Sequence, residues 1–412
     1  MTATDTAATR FRGAEIKALN GLRFIAAAVV VLYHIQPPAG APASVAMIIN
    51  RGYVAVPLFF MLSGLVLAWN YPDLKPTGGR SVLLFYISRV ARVMPLYWVV
   101  LAYLVVARAA RGLPQDHLWM HVLGVQTWSG DLTVGATAYN APAWAINVEL
   151  FLYLLFPFLV PLVARAYHTG RRSALLVVFA LALAVQWALV IWFAYRGWAD
   201  LPATDPASAH RWLYRNPMTR LPDFVMGMCL AFLIRGATTL RDRTATVLQV
   251  GLVILVLLMA SWNVNQVGLW RASYYGAIWM IPFSCLLYVL ATGARGMLAR
   301  LLSSRPLMAL GLASYALYLT HRPLLPGFNG SVVRGAHGIW SWALMGLVLL
   351  MTMFVAEGAR RYVEEPARAF IVTRARRWLL PPPPPSDSGV HERNPALLGP
   401  EPPKEARSAA ER

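Results

Sequence analysis

The stretch GLRFIAAAVVVLYHI, residues 21–35, decides the fold class. It is apolar enough to lie in the hydrocarbon of a bilayer, and similar apolar stretches recur along the chain of 412 residues. Hydrophobic residues make up 58% of the chain and charged residues only 13%, whereas about a quarter of the residues in a soluble domain are charged. Together these features predict an all-α, polytopic membrane protein.

Ten segments are long enough, or nearly so, to cross a bilayer as a helix, which takes roughly 20 apolar residues. They are 19–36, 53–70, 86–107, 144–165, 173–194, 221–235, 244–262, 273–292, 307–325 and 339–359. The sixth is the weakest candidate, because it is short and contains Pro222 and Asp223. The first has one alternative, a cleaved signal peptide followed by APA at 41–43, but such a peptide has no use for Arg23 and His34.

Arg and Lys residues near the segment ends predict the orientation of the chain. They are more numerous on the side of the N-terminus, so the positive-inside rule places both termini in the cytoplasm. The two longest loops, 108–143 and 195–220, then face outward. The expected location is a cell (plasma) membrane. The excess of Arg over Lys is associated with GC-rich bacterial genomes and favours a bacterial inner membrane.

The predicted organisation has three parts: a cytoplasmic N-terminal segment at 1–16, a membrane domain at 17–370 and a tail at 371–412. The tail is first basic and then Pro-rich, with the run PPPPPSDSG, and it is too polar to bury a core. We therefore expect the tail to be disordered and cytoplasmic.

The net charge of +19 does not indicate a nucleic-acid partner, because the arginines lie mostly between apolar segments, as topology determinants do. Cys229 and Cys285 both fall inside apolar segments, and their spacing indicates neither a disulfide framework nor a metal site. We expect membrane lipids as surroundings, no nucleic acid and no bound metal.

Arg23 and His34 lie on one face of the first predicted helix. Eleven residues correspond to three turns plus about 20°, and to a rise of roughly 16 Å. With the N-terminus inside, Arg23 lies in the inner half of the membrane and His34 near the outer surface. Ionisable groups within spans usually face the bundle and mark a site, although two interfacial side chains remain the alternative.

Further polar residues lie at the segment ends. Arg89 and Arg92 are three positions apart on one helix face, and serve either as a phosphate-binding pair or as positive-inside anchors. Glu149, one turn into the fourth segment, is a site acid or a helix-start carboxylate. His321 is either interfacial or functional, and Ser63 with its glycine neighbour favours close helix packing.

Six short motifs occur in a fixed order over about residues 16–370: LNGLRFIAAAVVVLYH, FFMLSG, RVARVMPLYW, WAINVELFLYLLFP, SYALYLTH and VEEPARAF. Together they resemble the integral membrane acyltransferases of the acyltransferase 3 family. The family's Arg-x10-His pair falls on Arg23 and His34. Its Arg-x-x-Arg pair falls on Arg89 and Arg92, and its acid falls on Glu149.

The chain departs from the family pattern at four positions. Asn20 replaces an Asp, so an acidic partner for the nearby arginine is missing, and Ala145 replaces a Ser. Leu150 takes the place of a second acid, and Thr320 replaces a Trp. These differences leave the acceptor preference open.

The resemblance implies transfer of an acyl group, with acetyl the expected one, from acyl-CoA to a hydroxyl of a sugar. His34 is the expected general base, with Glu149 orienting it or stabilising its charged form, and Arg23 is a third catalytic candidate. Arg89 and Arg92 are expected to contact the phosphates of acyl-CoA at the cytoplasmic side.

Three more motif residues are assigned either to acceptor binding or to structure: Ser63, Tyr315 and His321. Acyl-CoA acts as a co-substrate, and no tightly bound cofactor is expected. The acceptor classes are a polysaccharide, a lipid-linked sugar and a glycosylated metabolite. Direct attack is preferred, with an acyl-His intermediate left open. The alternative function is a transporter or exporter of an acylated or anionic solute, which an internal hydropathy repeat would favour, but none is evident.

Overall fold

The protein is described here from a computed structural model, which covers residues 16–132, 134, 138–170, 172–262, 267–325 and 338–380. These residues form helices and connecting turns, with no β-strand among them. Helices α1 to α8 are Lys17–Ile35, Ala43–Asn50, Ala55–Asn70, Arg80–Ala109, Leu118–Leu123, Trp144–His168, Arg172–Tyr195 and Leu221–Arg235. Helices α9 to α16 are Asp242–Ser261, Gly268–Tyr274, Met280–Thr292, Met297–Leu302, Arg305–Leu312, Ser314–Leu324, Ile339–Ala359 and Glu365–Leu379.

The prediction of a helical, polytopic membrane protein is confirmed. Seven helical stretches within the described ranges are long and apolar enough to cross a bilayer. Of the other three predicted segments, 221–235 is the 15-residue helix α8, and 273–292 falls on α10 and α11, which are bent by 62°. The segment 307–325 is divided between α13 and α14. The count of ten spans and the cytoplasmic location of both termini stay predictions.

Helix α3 lies at the centre of the bundle and α9 at its periphery. Of the 18-residue apolar windows, 83% of the one in 52–70 is buried, against 17% of the one in α9. Large apolar side chains on the outer helices are exposed, such as Phe354 on α15. An apolar surface of this kind is suited to lipid rather than water, because nothing polar covers it.

Helices α3 and α8 pack more extensively than any other pair, and glycines allow it. A Cβ atom added to Gly64 would overlap the carbonyl oxygen of Phe224, and one added to Gly227 would overlap that of Met61. Small residues at a crossing let two backbones approach closely, which membrane helices use in place of a hydrophobic driving force. Gly64 belongs to the FFMLSG motif, so this motif has a packing role.

Gly64→Ala should destabilise the protein by about 1–3 kcal/mol, because the added methyl group meets backbone that cannot rotate away. The matched control is Gly251→Ala on α9, where nothing lies within 4 Å of the new atom. Ala is a better helix former than Gly by about 1 kcal/mol, so the control should be neutral or stabilising. Thermal unfolding midpoints in detergent test this, and equal midpoints for the two variants would contradict it.

The predicted domain boundary at residue 370 falls inside α16. This helix packs along α4 and continues to Leu379, so the basic start of the predicted tail is helical rather than disordered. Packing against α4 stabilises this helix, although its polar composition predicts disorder. The Pro-rich run and the rest of the tail, 381–412, lie outside the described residues, as does 1–15.

Candidate active site

A cavity of about 410 Å³ opens among α1, α3, α4, α6, α13, α14 and α16. Six of the eight site residues predicted from the sequence line it. They are Arg23, Ser63, Arg89, Arg92, Glu149 and Tyr315. The other two predicted residues, His34 and His321, lie together outside the cavity lining. The structure therefore brings the predicted residues together as two neighbouring groups.

The cavity is strongly cationic. Five arginines line it: Arg23, Arg89, Arg92, Arg368 and Arg376. Glu149 is the one acid among the described lining residues. A pocket with this charge attracts a polyanion, and guanidinium groups suit phosphates because their donors form a planar fork.

The two arginines of the Arg-x-x-Arg pair have different partners. Arg92 lies 3.6 Å from the carboxylate of Glu364, which is buried and belongs to the VEEPARAF motif. The guanidinium of Arg89 lies over the rings of Tyr71 and Phe85 and makes no ion pair with a described residue. Its Nε atom is buried without a hydrogen-bond partner. Arg89 therefore has donors left for a ligand, whereas part of the charge of Arg92 is already neutralised.

Arg23 has neither a hydrogen bond nor an ion pair with any described residue. This agrees with the replacement of the family's Asp by Asn20, one turn earlier on α1. An unpaired arginine facing a cavity is costly unless water or a ligand solvates it. Its guanidinium group is therefore available to a ligand in the cavity.

Glu149 accepts hydrogen bonds from Ser63 Oγ, at 2.9 Å, and from the hydroxyl of Tyr153. Among the described residues it makes no hydrogen bond with His34, and its expected role, either orienting this imidazole or stabilising its charged form, stays a prediction. The carboxylate instead lies among the arginines of the cavity. Ser63 and Glu149 therefore link α3 to α6 beside the cavity.

Tyr315 also has a structural partner. Its hydroxyl donates to the carbonyl oxygen of Val93, at 2.6 Å, and fastens α14 to α4 just after the Arg-x-x-Arg pair. Ser63 and Tyr315 are predicted either to bind the acceptor or to have a structural role. Their hydrogen bonds favour the structural role.

His34 and His321 form a hydrogen-bonded pair. His34 Nδ1 lies 2.9 Å from Val30 O and 3.2 Å from His321 Nε2, while His321 Nδ1 lies 3.2 Å from Leu317 O. Carbonyl oxygens only accept, so both Nδ1 atoms carry the hydrogen. The Nδ1–H of His34 is then shared between Val30 O and His321 Nε2. This tautomer leaves Nε2 of His34 without a proton, as a base requires.

The histidine pair lies next to one end of the cavity. Tyr318 lines the cavity, and its ring centroid lies 6.0 Å from that of His321. The hydroxyl of Tyr318 donates to Pro142 O, at 3.1 Å, so the ring is fixed in place. The arginines of the cavity and the histidine pair are thus connected through Tyr318.

Comparison with known proteins identifies the group to which the chain is related. A family model described as an acyltransferase domain matches residues 16–357. The chain belongs to this acyltransferase family. It is therefore a multi-pass membrane O-acyltransferase, and the transporter alternative is set aside.

Two groups of relatives agree with this. The acyltransferase MdmB of Streptomyces mycarofaciens is 28% identical over 394 residues, which cover 91% of this chain and 97% of MdmB. The O-acetyltransferase OatA of Staphylococcus aureus is 24% identical over 85% of this chain and 57% of its own length. The peptidoglycan O-acetyltransferase OatA of Listeria monocytogenes is 22% identical, again over 57% of its length. No solved structure matches the chain.

The site contains residues that the sequence reasoning missed: Tyr153, Tyr318, Glu364, Arg368 and Arg376. Tyr153 lies one turn after Glu149, a spacing that places both on one face. Glu364 belongs to the last motif, VEEPARAF, whose sequence alone indicates no role in the site. Arg368 and Arg376 are eight positions apart on α16 and were counted only as topology determinants.

Proposed function

We propose that this acyltransferase transfers an acetyl group from acetyl-CoA to a hydroxyl group of a sugar or glycosylated acceptor in a bacterial inner membrane. The observation that carries the proposal is the cavity, which has arginines along its wall and a histidine pair at one end. CoA is a long molecule with phosphates at one end and the thioester at the other, and it is found in the cytoplasm. Its charge pattern therefore matches that of the cavity.

The phosphates would be bound by Arg89 with Arg23 and the two arginines of α16. Charge-assisted hydrogen bonds to phosphate are short and strong, and the unpaired donors of Arg89 are available for them. The pantetheine arm would then extend along α1 towards Tyr318. This orientation brings the thioester close to the histidine pair.

In the chemical step, Nε2 of His34 would take the proton of the acceptor hydroxyl while its oxygen attacks the thioester carbonyl. The new C–O bond forms, the C–S bond breaks, and the proton on His34 passes to the departing CoA thiolate. His321 would position the base, because its Nε2 accepts the Nδ1–H of His34 at 3.2 Å. When His34 is an imidazolium, both of its ring nitrogens carry hydrogen. Its Nδ1–H can therefore still donate to Nε2 of His321.

The acceptor classes remain a polysaccharide, a lipid-linked sugar and a glycosylated metabolite. One relative is named for O-acetylation of peptidoglycan, which supports a sugar-containing acceptor. The names of MdmB and the Staphylococcus OatA specify no acceptor.

The purified full chain in detergent should release CoA thiol from radiolabelled acetyl-CoA only when a sugar acceptor is present, and the label should appear on that acceptor. The measurement is thiol release paired with mass spectrometry of a panel of glycans and glycosides. Release without any acceptor, or CoA binding without transfer to any member of the panel, would count against the proposal. A second acyl donor that works while acetyl-CoA fails would overturn the assignment of the donor.

A further inference from the structure

A cluster of tyrosines lies next to the histidine pair at the C-terminal end of α1. The ring centroid of Tyr33 lies 4.8 Å from that of His34 and 5.7 Å from that of Tyr53. Tyr214 and Tyr275 continue the cluster, with centroids 5.7 Å and 6.4 Å from Tyr53. We call Tyr33, Tyr53, Tyr214 and Tyr275 the tyrosine layer.

Arg215 ends the π-helical turn His210–Arg215 and lies beside this layer. Tyr214, the residue before it, belongs to the layer, and Arg215 interacts electrostatically with Tyr33 and Tyr318, whose rings lie beside those of His34 and His321. Its Nε and Nη1 atoms are buried and have no hydrogen-bond partner. Among the described residues, Arg215 has no ion pair either.

Two buried arginines in this part of the bundle each have oxygen partners, although Nε of Arg220 has none. Arg220 lies 3.1 Å from the carboxylate of Asp223 and also donates to Tyr275 O. Arg51 donates to the three carbonyl oxygens of Met259, Ala260 and Trp262. Arg215 is the exception in this part of the bundle, so its lack of a partner needs a separate explanation.

An acid elsewhere in the membrane domain does not explain it. The internal stretches outside the described residues, namely 133, 135–137, 171, 263–266 and 326–337, contain no Asp or Glu. Burial lowers the pKa of Arg215, although a guanidinium stays charged at neutral pH. Arg215 is partly exposed, but its Nε and Nη1 atoms are buried, and a largely desolvated charge without a counter-charge is unfavourable, so a ligand that brings an anion would be favoured at this position.

We propose that Arg215 binds a carboxylate or phosphate carried by the acceptor, and that this contact places the acceptor hydroxyl at His34. The proposal rests on the proposed function. The planar fork of Arg matches both oxyanions in a bidentate manner. The acceptor class is therefore an acidic sugar or a sugar phosphate rather than a neutral sugar.

The test measures binding of three probes to the full chain in detergent: D-glucuronate, glucose 1-phosphate and neutral glucose. The apparent Kd comes from ligand-dependent thermal shifts, which need no turnover. The parent should bind at least one anionic probe more tightly than glucose, and the tighter of the two tells a carboxylate site from a phosphate site. Arg215→Gln should weaken anionic binding by roughly tenfold or more and leave glucose unchanged. Arg215→Lys should retain part of the affinity for the anionic probes, because Lys keeps the positive charge but lacks the planar fork of donors.

The matched control is Arg211→Gln, four positions earlier in the same turn. Arg211 already donates to Pro206 O and lies over the ring of Trp212, so its loss should change no probe. The CoA affinity of all three variants should equal that of the parent. In the absence of ligand, Arg215→Gln should unfold at the parent temperature or above, because the removed charge had no partner.

Three results would overturn the inference: anionic probes that bind Arg215→Gln like the parent, anionic probes that fail to bind the parent, and an unliganded Arg215→Gln variant that unfolds well below the parent. A failure of the proposed function would look different. It would appear as absent acetyl transfer with every acceptor, while binding of the anionic probes still depended on Arg215.

Discussion

His34→Gln should lower kcat by roughly 10²–10⁴-fold while CoA binds as tightly as it does to the parent chain. The reason is the tautomer set by the hydrogen bonds around His34. Its Nδ1–H is shared between Val30 O and His321 Nε2, so Nε2 is free to take a proton. Gln keeps a side chain of similar polarity but has no base at this position. The measurement is acetyl transfer to the preferred acceptor, paired with titration of CoA in detergent.

The surrounding residues provide the controls. His168→Gln, at the end of α6, changes a histidine far along the chain from the pair and should leave kcat unchanged. His321→Leu removes the acceptor that orients His34, and should lower kcat less than the loss of the base itself. His321→Asn retains a side-chain oxygen acceptor and should recover part of that loss, which a purely structural role would not predict. Near-parent turnover by His34→Gln would show that His34 is not the base.

The sequence predicted which residues lie near one another better than it predicted their individual contacts. Motif order placed Arg23, Arg89 and Glu149 on separate helices, and the structure brings them to one cavity. The partner of His34 was not predictable, because His321 is 287 positions away and only tertiary packing brings the two together. Glu149 shows the same limit of sequence-based prediction. Its motif indicates that a carboxylate is present, but only the packing of the helices determines its hydrogen-bond partners.

The helices show where hydropathy is informative and where it fails. Long apolar stretches such as 172–195 are single helices, because nothing in them interrupts the backbone. The segments 273–292 and 307–325 are long enough for a span and mostly apolar, but the first is bent and the second is divided in two. A hydropathy window averages the composition of a segment and takes no account of the direction of the helix axis. A bend in the helix therefore leaves the average unchanged. The absence of an ion pair at Arg215 likewise could not be predicted from the sequence, because it depends on which acidic residues are near in space.

Arg89→Gln should raise the Kd of CoA by roughly ten- to more than a hundredfold, because it removes charge-assisted hydrogen bonds worth about 1.5–3 kcal/mol. Arg89 lines the cavity, has no carboxylate partner among the described residues and has a buried Nε without an acceptor. Arg89→Lys should recover only part of the affinity, since an ammonium lacks the planar fork. The acceptor KM should change little, because the acceptor site proposed at Arg215 is beside the histidines. Isothermal titration of CoA and acceptor kinetics test both parts.

Because Arg92 forms an ion pair with Glu364, variants of these two residues can change CoA affinity and the stability of the fold separately. Arg92→Gln should weaken CoA binding less than Arg89→Gln, because Glu364 already neutralises part of its charge, but it should also destabilise the chain by leaving a buried carboxylate unpaired. Adding Glu364→Gln should restore the unfolding temperature without improving CoA affinity. The control Arg165→Gln changes an arginine in the last turn of α6 outside the cavity lining, so it should alter neither quantity. If Arg89→Gln binds CoA as Arg165→Gln does, Arg89 is only a topology anchor, and the donor phosphates bind elsewhere.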